Sequence, residues 1–552
     1  MRVISDATGY LVNSSRRWRG QLKLPTSGRL IATLILSGAL LALAGCASLA
    51  RDDVAQRRLA IPVGGPQREC LAFFARLDDA VGAHGVRDSD AAAITGFPYL
   101  AVDRLLASYA REPLTDAAFD AWVDHLQALN ETGRRAEIAN LPAAEREKLR
   151  ASLPDGLLSQ DPADALRACA DTLRTTDLAS STGRVALQTA VHVPDGYRTW
   201  QRAVGLYPLT SIPFALGAQR LRSKTQATFD RDLAQLPVLG HLIRYAPGVV
   251  PAPWSAREIA AQFKLDQPGD GPQLLAALPD ASALEALFAQ FAPLFEIDTA
   301  ADEDRIGALA WQGGASPAAD VADKPAAAVE LGVDIGKPTV YRYLTHTRFG
   351  GHLLPQLNYT IWFPARERVG RFDLLGGHLD GITFRLTLGV DGTVLIADAV
   401  HNCGCYHLFF PSSRIRLRPQ PATLEETAFA PQTLPAMAAG EHLTIRIAHH
   451  THFVERVLAA SPDAVGHDAI RYLQADYEVL RTLPLPTGGS KSAFGADGIV
   501  PGTERGERYF YWPMGVPNAG AMRGRGHHAT AFVGRRHFDD PILFETSFES
   551  VR

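Results

Sequence analysis

The sequence lacks the motifs that mark several large enzyme classes. It has no Gly-x-Ser-x-Gly nucleophile elbow, no His-Glu-x-x-His pair and no glycine-rich nucleotide-binding loop. It also shows no internal repeat. Serine-hydrolase, zinc-protease and nucleotide-dependent chemistry are therefore without their usual signatures, and a function has to be sought in other residues.

Positive charge is scarce once the first 45 residues are set aside. Those residues hold six of the 55 Lys and Arg and one of the 59 Asp and Glu, which leaves 49 basic and 58 acidic side chains. This acidic balance argues against nucleic acid, and against an anionic lipid surface, as the main partner. The charged fraction of 21% and the hydrophobic fraction of 46% are typical of a globular chain.

A long hydrophobic run is missing as well. The apolar segment 30–44 follows a basic segment and is shorter than the roughly 20 residues of a membrane-spanning helix. It ends in Leu43-Ala44-Gly45-Cys46, which resembles the lipobox signal of bacterial lipoproteins. The resemblance implies that residues 1–45 are a signal peptide and that Cys46 carries lipid, including palmitate. The alternative is an ordinary membrane-anchoring helix.

The residues after Cys46 bear on the destination of the protein. Ala47 and Ser48 stand where an Asp in such lipoproteins often means retention in the inner membrane. The resemblance therefore implies a protein held at the periplasmic face of the outer membrane by its lipid anchor.

Cysteine is rare in the remaining chain, which has only Cys70, Cys169, Cys403 and Cys405 after the lipobox. In an oxidising compartment these thiols are expected to pair. Distance along the chain favours a disulfide between Cys70 and Cys169, with Cys403 and Cys405 as a local pair. A Cys-x-Cys disulfide closes a very tight ring, so free thiols or metal-bound thiolates are the alternatives for that pair.

Hydrophobic periodicity divides the chain into regions. Residues 46–69 are expected to be a tether, and residues 70–311 a mainly α-helical domain, with one helix over 115–129. Residues 312–338, rich in Gly, Ala, Pro and Asp, are expected to be a linker. The period changes to two in residues 339–552, which predicts a β-rich, sandwich-like domain. The fold class is therefore α+β. Within the second domain, a strand is expected over 442–454 and a helix near 464–480.

One apolar segment, residues 203–216, is broken by Pro208 and Pro213 and flanked by arginines. It is either a buried loop-helix element or an interfacial segment that touches a membrane or an acyl chain.

The most informative stretch is a predicted β-hairpin over residues 372–411. Apolar and polar residues alternate over 382–388, and Asp391-Gly392 is a strong two-residue turn signal. With that turn, the expected cross-strand partners are Leu388 with Leu395, Phe384 with Ala399, and Ile382 with His401. Extending the pairing places Asp380 opposite Cys403 and His378 opposite Cys405.

Reactive side chains would then converge on one inward face at the open end of the hairpin. Buried polar groups must be satisfied by each other or by something bound. His378, Asp380 and His401 are the candidate catalytic residues, since an Asp fixes the tautomer of a neighbouring His base. The same three residues with His407 are the candidate ligands for zinc or another divalent transition metal. The alternative is a purely structural set of hydrogen bonds.

Part of this stretch resembles the necrosis-inducing-protein family. The resemblance covers residues 359–407 and depends on Trp-Phe-Pro at 362–364, on Gly-Gly-His-Leu-Asp-Gly-Ile at 376–382 and on the later histidine. It implies a β-sandwich with a metal site, in which Asp380 matches the family's Asp and His401 its later His. The sequence departs from the family at two positions, with Ile382 in place of the Glu ligand and Gly381 in place of the Trp.

Two other histidine groups are candidates. His449, His450 and His452 are expected on one strand, where they are either surface decoration or part of a site. His527 and His528 lie among arginines near the C-terminus, in a solvated loop or at the edge of a pocket.

Together these features predict a lipid-anchored periplasmic protein that binds a small-molecule or protein partner, or a metal, at the hairpin 378–407. The alternatives are a metal-dependent or His/Asp-based hydrolase and a purely structural envelope protein.

Overall fold

The computed structural model describes residues 65–551, apart from 155–156, 158–160, 249–252, 266–270, 273–279, 314–328, 371, 420–422, 439 and 461–467. The lipobox segment, Cys46 and most of the expected tether lie outside the described residues. Among the helices that are described, none is both long and apolar enough to cross a membrane.

Helices are concentrated in the N-terminal half of the described chain. They are α1 Pro66–His84, α2 Arg104–Tyr109, α3 Asp116–Asn140, α4 Ala143–Arg150, α5 Pro162–Asp177, α6 Ser181–Ala190, α7 Thr199–Val204, α8 Tyr207–Phe229, α9 Ala256–Gln262, α10 Ala281–Gln290, α11 Glu507–Phe510 and α12 Leu543–Ser547.

The first helices pack around an apolar core of their own. The predicted helix over 115–129 is confirmed as part of α3, which Thr115 caps by accepting a hydrogen bond from the Ala118 amide. The apolar stripe of α3 includes Trp122, which is fully buried. Cys70 of α1 and Cys169 of α5 face the same core and form the expected disulfide, which joins the two helices.

The strands are β1 Ala92–Ile94, β2 Phe97–Val102, β3 His241–Pro247, β4 Leu294–Thr299, β5 Ala308–Gln312, β6 Glu330–Asp334, β7 Thr339–Phe349, β8 His352–Arg366, β9 Gly377–Leu388, β10 Val394–His401, β11 Leu408–Pro411, β12 Ile415–Leu417, β13 His442–Ile447, β14 Val454–Ala460, β15 Ile470–Asp476, β16 Leu483–Pro484, β17 Ser490–Lys491 and β18 Phe548–Ser550. Ten of them form one mixed sheet in the order β11-β10-β9-β8-β7-β15-β3-β4-β13-β14. With the helices, this sheet confirms the α+β class.

The large sheet curls around a single apolar core. Ile361 and Phe384, from β8 and β9, share that core with Ile297 and Ile445, from β4 and β13. In the sheet order β9 and β13 are six positions apart, which in a flat sheet would separate them by about 29 Å. Curling therefore brings the two halves of the sheet face to face.

The boundaries of the expected regions differ in part from the structure. Two strands of the large sheet, β3 and β4, come from residues expected in the helical region. The expected linker 312–338 begins in β5 and contains β6, and these two strands pair with each other, while residues 314–328 lie outside the description. The residues from Val63 to Arg552 belong to one compact unit.

Two secondary-structure expectations are wrong. Residues 442–454 form not one strand but β13 and a turn that leads into β14, which pairs antiparallel with β13. The helix expected near 464–480 is instead β15, followed by a short 3-10 turn Tyr477–Arg481. The residues on either side of Tyr472 are exposed, as in a strand, and the Tyr472 side chain is fully buried in the core of the sheet. This burial explains why these residues form β15 and not a helix.

Candidate functional site

The predicted hairpin exists, and its register is largely as expected. Phe384 lies opposite Ala399, and Ile382 lies opposite His401. Near the turn the register shifts by one residue at a bulge, so that Leu388 faces Val394 and not Leu395. The bulge leaves the pairing at the open end unchanged, and Asp380 and His401 therefore lie on the inward face with the core residues.

The pairing does not extend beyond His401, which is the first correction to the expected site. The chain turns sharply there, because Gly404 has a φ of +90° and its amide donates to the carbonyl of His401. Cys403 and Cys405 follow this turn and do not face Asp380 and His378. Both are free thiols, so the local disulfide is not formed. The Cys405 amide lies 3.4 Å from the Cys403 sulfur.

His378 also lies apart from the other candidates. It pairs with Ala365 of β8, and its Nε2 is 2.6 Å from the carbonyl oxygen of Leu331. That contact holds the ring toward β6, away from Asp380.

His407 belongs to a different buried network on the opposite face of the sheet. Its Nε2 is 2.7 Å from Oδ2 of Asp398, which also accepts two hydrogen bonds from Arg385. Burial lowers the pKa of His407 to about 4, although the Asp398 carboxylate opposes the shift. His407 is therefore a neutral partner in a structural cluster, and it does not meet His401.

The structure instead joins Asp380 to residues that sequence patterns did not associate with it. His452, in the turn between β13 and β14, places its Nδ1 2.8 Å from Oδ2 of Asp380. Its Nε2 lies 3.5 Å from Oδ1 of Asp304. On the other side of Asp380, Nδ1 of His401 lies 3.9 Å from Oδ1, which is longer than a hydrogen bond. The cluster is thus Asp304, His452, Asp380 and His401, all buried.

The turn that carries His452 is held in an unusual conformation. His450 and His452 have φ values of +61° and +51°, a region that side-chain-bearing residues rarely adopt. The ring of His452 stacks on Phe363, with 3.9 Å between ring centroids. Asp304 also binds this turn, through the His450 amide and the His449 ring. Such strain concentrates at functional sites.

Charges in the cluster are matched. Burial opposes ionisation of Asp380, but Arg505, His401 and His452 together hold its pKa well below the usual value. Burial alone would lower the pKa of His452, yet its contacts with the Asp304 and Asp380 carboxylates raise it overall. The cluster therefore holds two carboxylates that favour the protonated form of His452, with the Arg505 guanidinium 3.6 Å from Asp380.

His401 is the member of this cluster whose pKa is lowered. Burial lowers its pKa, and Asp380 opposes that shift only in part, so the ring is neutral near pH 7. Its Nε2 is buried and has no hydrogen-bond partner among the described residues. A neutral imidazole with a free Nε2 can accept a hydrogen bond or a proton from a bound molecule.

The structure does not assemble a metal site from these residues. Among the described His, Cys, Asp and Glu side chains, no group of three is arranged to hold a metal ion. Zinc or another divalent metal at the hairpin thus stays a prediction.

The remaining histidines have structural contacts. Nε2 of His527 lies 2.7 Å from the Ser89 carbonyl oxygen, and His528 is buried.

Comparison with known protein families, with characterised proteins and with solved structures finds no match to this chain.

Proposed function

We propose that the protein is a lipoprotein, anchored by Cys46 at the periplasmic face of the outer membrane, which binds a small ligand at the cluster around Asp380. The observation that carries the binding proposal is the buried, unpartnered Nε2 of His401 beside a charge-balanced Asp380. An unsatisfied buried polar atom is costly unless a bound molecule completes it.

The anchor is tested by radioactive palmitate labelling of cells that express the full chain. Label on the wild-type protein, lost in Cys46→Ser, is the expected result. An unlabelled wild-type protein would contradict the anchor, without bearing on the ligand site.

The binding site is tested by thermal unfolding of the purified full chain with a library of small metabolites. A ligand of this site raises the midpoint temperature of the wild type by mass action and does not do so in His401→Gln. His378→Gln is the matched control, because His378 contacts Leu331 and lies apart from the cluster. If every stabilising compound acts equally on His401→Gln, the site is refuted and a purely structural role is favoured. Elemental analysis of the same preparation tests the zinc prediction.

Acid–base hydrolysis is the second candidate function, and the same imidazole favours it. Asp380 lies 3.9 Å from Nδ1 of His401, on the side of the ring away from Nε2, and Nε2 is left to take a proton from an attacking water. Turnover of 4-nitrophenyl acetate or 4-nitrophenyl phosphate that is lost in His401→Gln but kept in His378→Gln would support hydrolysis. Absence of turnover in a wild-type protein that binds ligand would leave binding alone.

A further inference from the structure

A buried arginine beside the cluster has no direct ion-pair partner among the described residues. Arg366, the last residue of β8, is only 8% exposed. Its guanidinium forms no ion pair and no hydrogen bond with any residue that the structure describes, and its Nε is buried without an acceptor. A guanidinium in this state is costly, because it has lost water and gained no partner.

The aromatic ring of Phe453 connects Arg366 to the site. The guanidinium carbon of Arg366 lies 5.9 Å from the centre of that ring. His401 approaches the same ring at 5.5 Å and Tyr406 at 4.3 Å between centroids. Phe453 and Tyr406 are half-buried, so this side of the cluster reaches the surface. Cationic, polar and apolar groups thus meet on one side of the cluster.

No carboxylate pairs directly with Arg366 among the described residues. Asp380 and Asp304 contact His452, and Asp380 also lies near Arg505. The charge of Arg366 acts on the nearby carboxyls of Asp373 and Glu507 without a direct contact, and burial raises the pKa of Glu507 to about 7. The guanidinium of Arg366 therefore has negative charge in its surroundings, but no oxygen there accepts a hydrogen bond from its Nε.

We propose that the ligand of this site carries a carboxylate, which Arg366 binds, and an apolar part, which lies against Phe453 and Tyr406. The inference depends on the ligand site proposed above and names the class of molecule that the site takes. A planar carboxylate matches the two parallel donors of a guanidinium. The free Nε2 of His401 accepts a hydrogen bond from a donor group elsewhere on the ligand.

Benzoate is a suitable probe, because it combines a carboxylate with an aromatic ring. Saturation-transfer NMR on the purified full chain is expected to show contact with the benzoate ring protons. The affinity should fall by about tenfold or more in Arg366→Gln, as for loss of hydrogen bonds to a charged group. Arg368→Gln is the matched control, since Arg368 is exposed and lies two residues further on.

Three outcomes would overturn the carboxylate assignment. They are equal binding of neutral benzamide, stronger competition by inorganic phosphate than by benzoate, and unchanged benzoate binding in Arg366→Gln. If a library compound loses its stabilising effect in His401→Gln, but the affinity for benzoate is unchanged in Arg366→Gln, the ligand site is supported and only the carboxylate assignment is refuted. Thermal unfolding excludes misfolding as a cause, because removing an unpaired buried charge should leave Arg366→Gln at least as stable as the wild type.

An independent observation concerns the surface of α7 and α8. Six large apolar side chains there are between 43% and 68% exposed: Trp200, Val204, Leu206, Leu209, Ile212 and Leu216. Those of α8 recur at helical spacing, so they form one stripe. Phe214 points the other way, against Phe510 and Tyr511. The buried alternative for residues 203–216 is therefore wrong, because the helix packs through one side only.

We infer that this stripe lies in the interfacial region of the lipid leaflet that anchors the protein. The 18 residues between Cys46 and Gly65 span at most roughly 60 Å, so the proposed anchor keeps the folded unit near the bilayer. Trp200 of α7 lies at the start of the stripe, and the exposed residues Arg220 and Lys224 follow the stripe on α8. This combination is typical of helices that lie in a membrane interface.

Brominated phosphatidylcholine vesicles carrying the full chain test this contact through quenching of tryptophan fluorescence. Quenching is expected in the wild type and should be largely lost in Leu209→Glu. Leu473→Glu is the control, because Leu473 is equally exposed but lies on β15. Equal quenching in both variants, or none in the wild type, would overturn the inference. A Leu209→Glu effect on oligomeric state without any effect on quenching would assign the stripe to a second copy of the chain.

Discussion

Replacing His452 by Gln is expected to destabilise the protein strongly. Its fully buried ring lies between two buried carboxylates, at 2.8 Å from Asp380 and 3.5 Å from Asp304. Breaking a buried ion pair by removing one partner costs about 3–5 kcal/mol. Asp380 keeps Arg505 and Asp304 keeps the His450 amide, so we expect the lower end, about 3 kcal/mol. This is a large share of the roughly 5–15 kcal/mol that stabilises a typical folded chain.

The effect should depend on pH in one direction. The folded-state pKa of His452 is raised, because hydrogen bonds to Asp304 and Asp380 outweigh its burial. The contribution of protonated His452 to the free energy of unfolding is therefore complete below the unfolded-state pKa of about 6.5, and it is lost as the pH rises through the folded-state pKa. The difference in free energy of unfolding between wild type and His452→Gln should be widest near pH 6 and should narrow in alkaline solution.

Urea unfolding followed by tryptophan fluorescence measures this difference. His450→Gln is the matched control, because His450 has the same left-handed backbone and lies in the same turn, but its side chain is half-buried and forms no ion pair among the described residues. The control should cost less than about 0.5 kcal/mol. Equal losses in the two variants, or a difference that does not change between pH 6 and pH 9, would refute the assignment of His452 as a buried imidazolium.

Three further expectations concern the frame around the site. Asp398→Asn should lower the free energy of unfolding in urea by about 3–5 kcal/mol, because it breaks a fully buried ion pair; a loss under 1 kcal/mol would contradict this. Replacing Cys70 and Cys169 by Ser should cost about 2–5 kcal/mol, and titration of the denatured wild type without reductant should find these two thiols unreactive. Burial lowers the pKa of His528 to about 3, so His528 should remove about 1.4 kcal/mol of stability per pH unit below 6.5, and His528→Gln should flatten that slope.

Local pairing was accessible from the sequence because the rules that govern it are local. Alternating apolar residues and the Asp391-Gly392 turn give the register that brings Ile382 opposite His401. The same rules place Asp380 and His401 on one face. They fail where the backbone stops following the strand, at the turn around Gly404, and that turn separates Cys403 and Cys405 from the predicted group. His378 is separated by its contact with Leu331, which strand periodicity does not predict.

The partner of Asp380 was not accessible in the same way. His452 lies 72 residues further along the chain and reaches Asp380 only because the sheet curls on itself. Alternation across residues 442–454 predicted one long strand, which would have placed the histidine on a sheet surface. The signal that was present is the run His449-His450-Thr451-His452 between two apolar segments, where polar residues interrupt the alternation and favour a turn.

Asp380 contacts His452 at 2.8 Å but lies 3.9 Å from His401, and this difference in distance determines the role that is open to His401. The short contact goes to His452, whose pKa Asp380 and Asp304 together raise, so that they favour its protonated form. Burial, with the positive charges of His452 and Arg366, then keeps the pKa of His401 low, although Asp380 opposes the shift. A neutral His401 whose Nδ1 faces Asp380 carries its proton there and has its lone pair at Nε2. At neutral pH the site therefore presents a hydrogen-bond or proton acceptor, the buried Nε2 of His401, on the side of the cluster that carries Arg366. This arrangement matches the proposed ligand, whose carboxylate would meet Arg366 and whose donor group would meet His401.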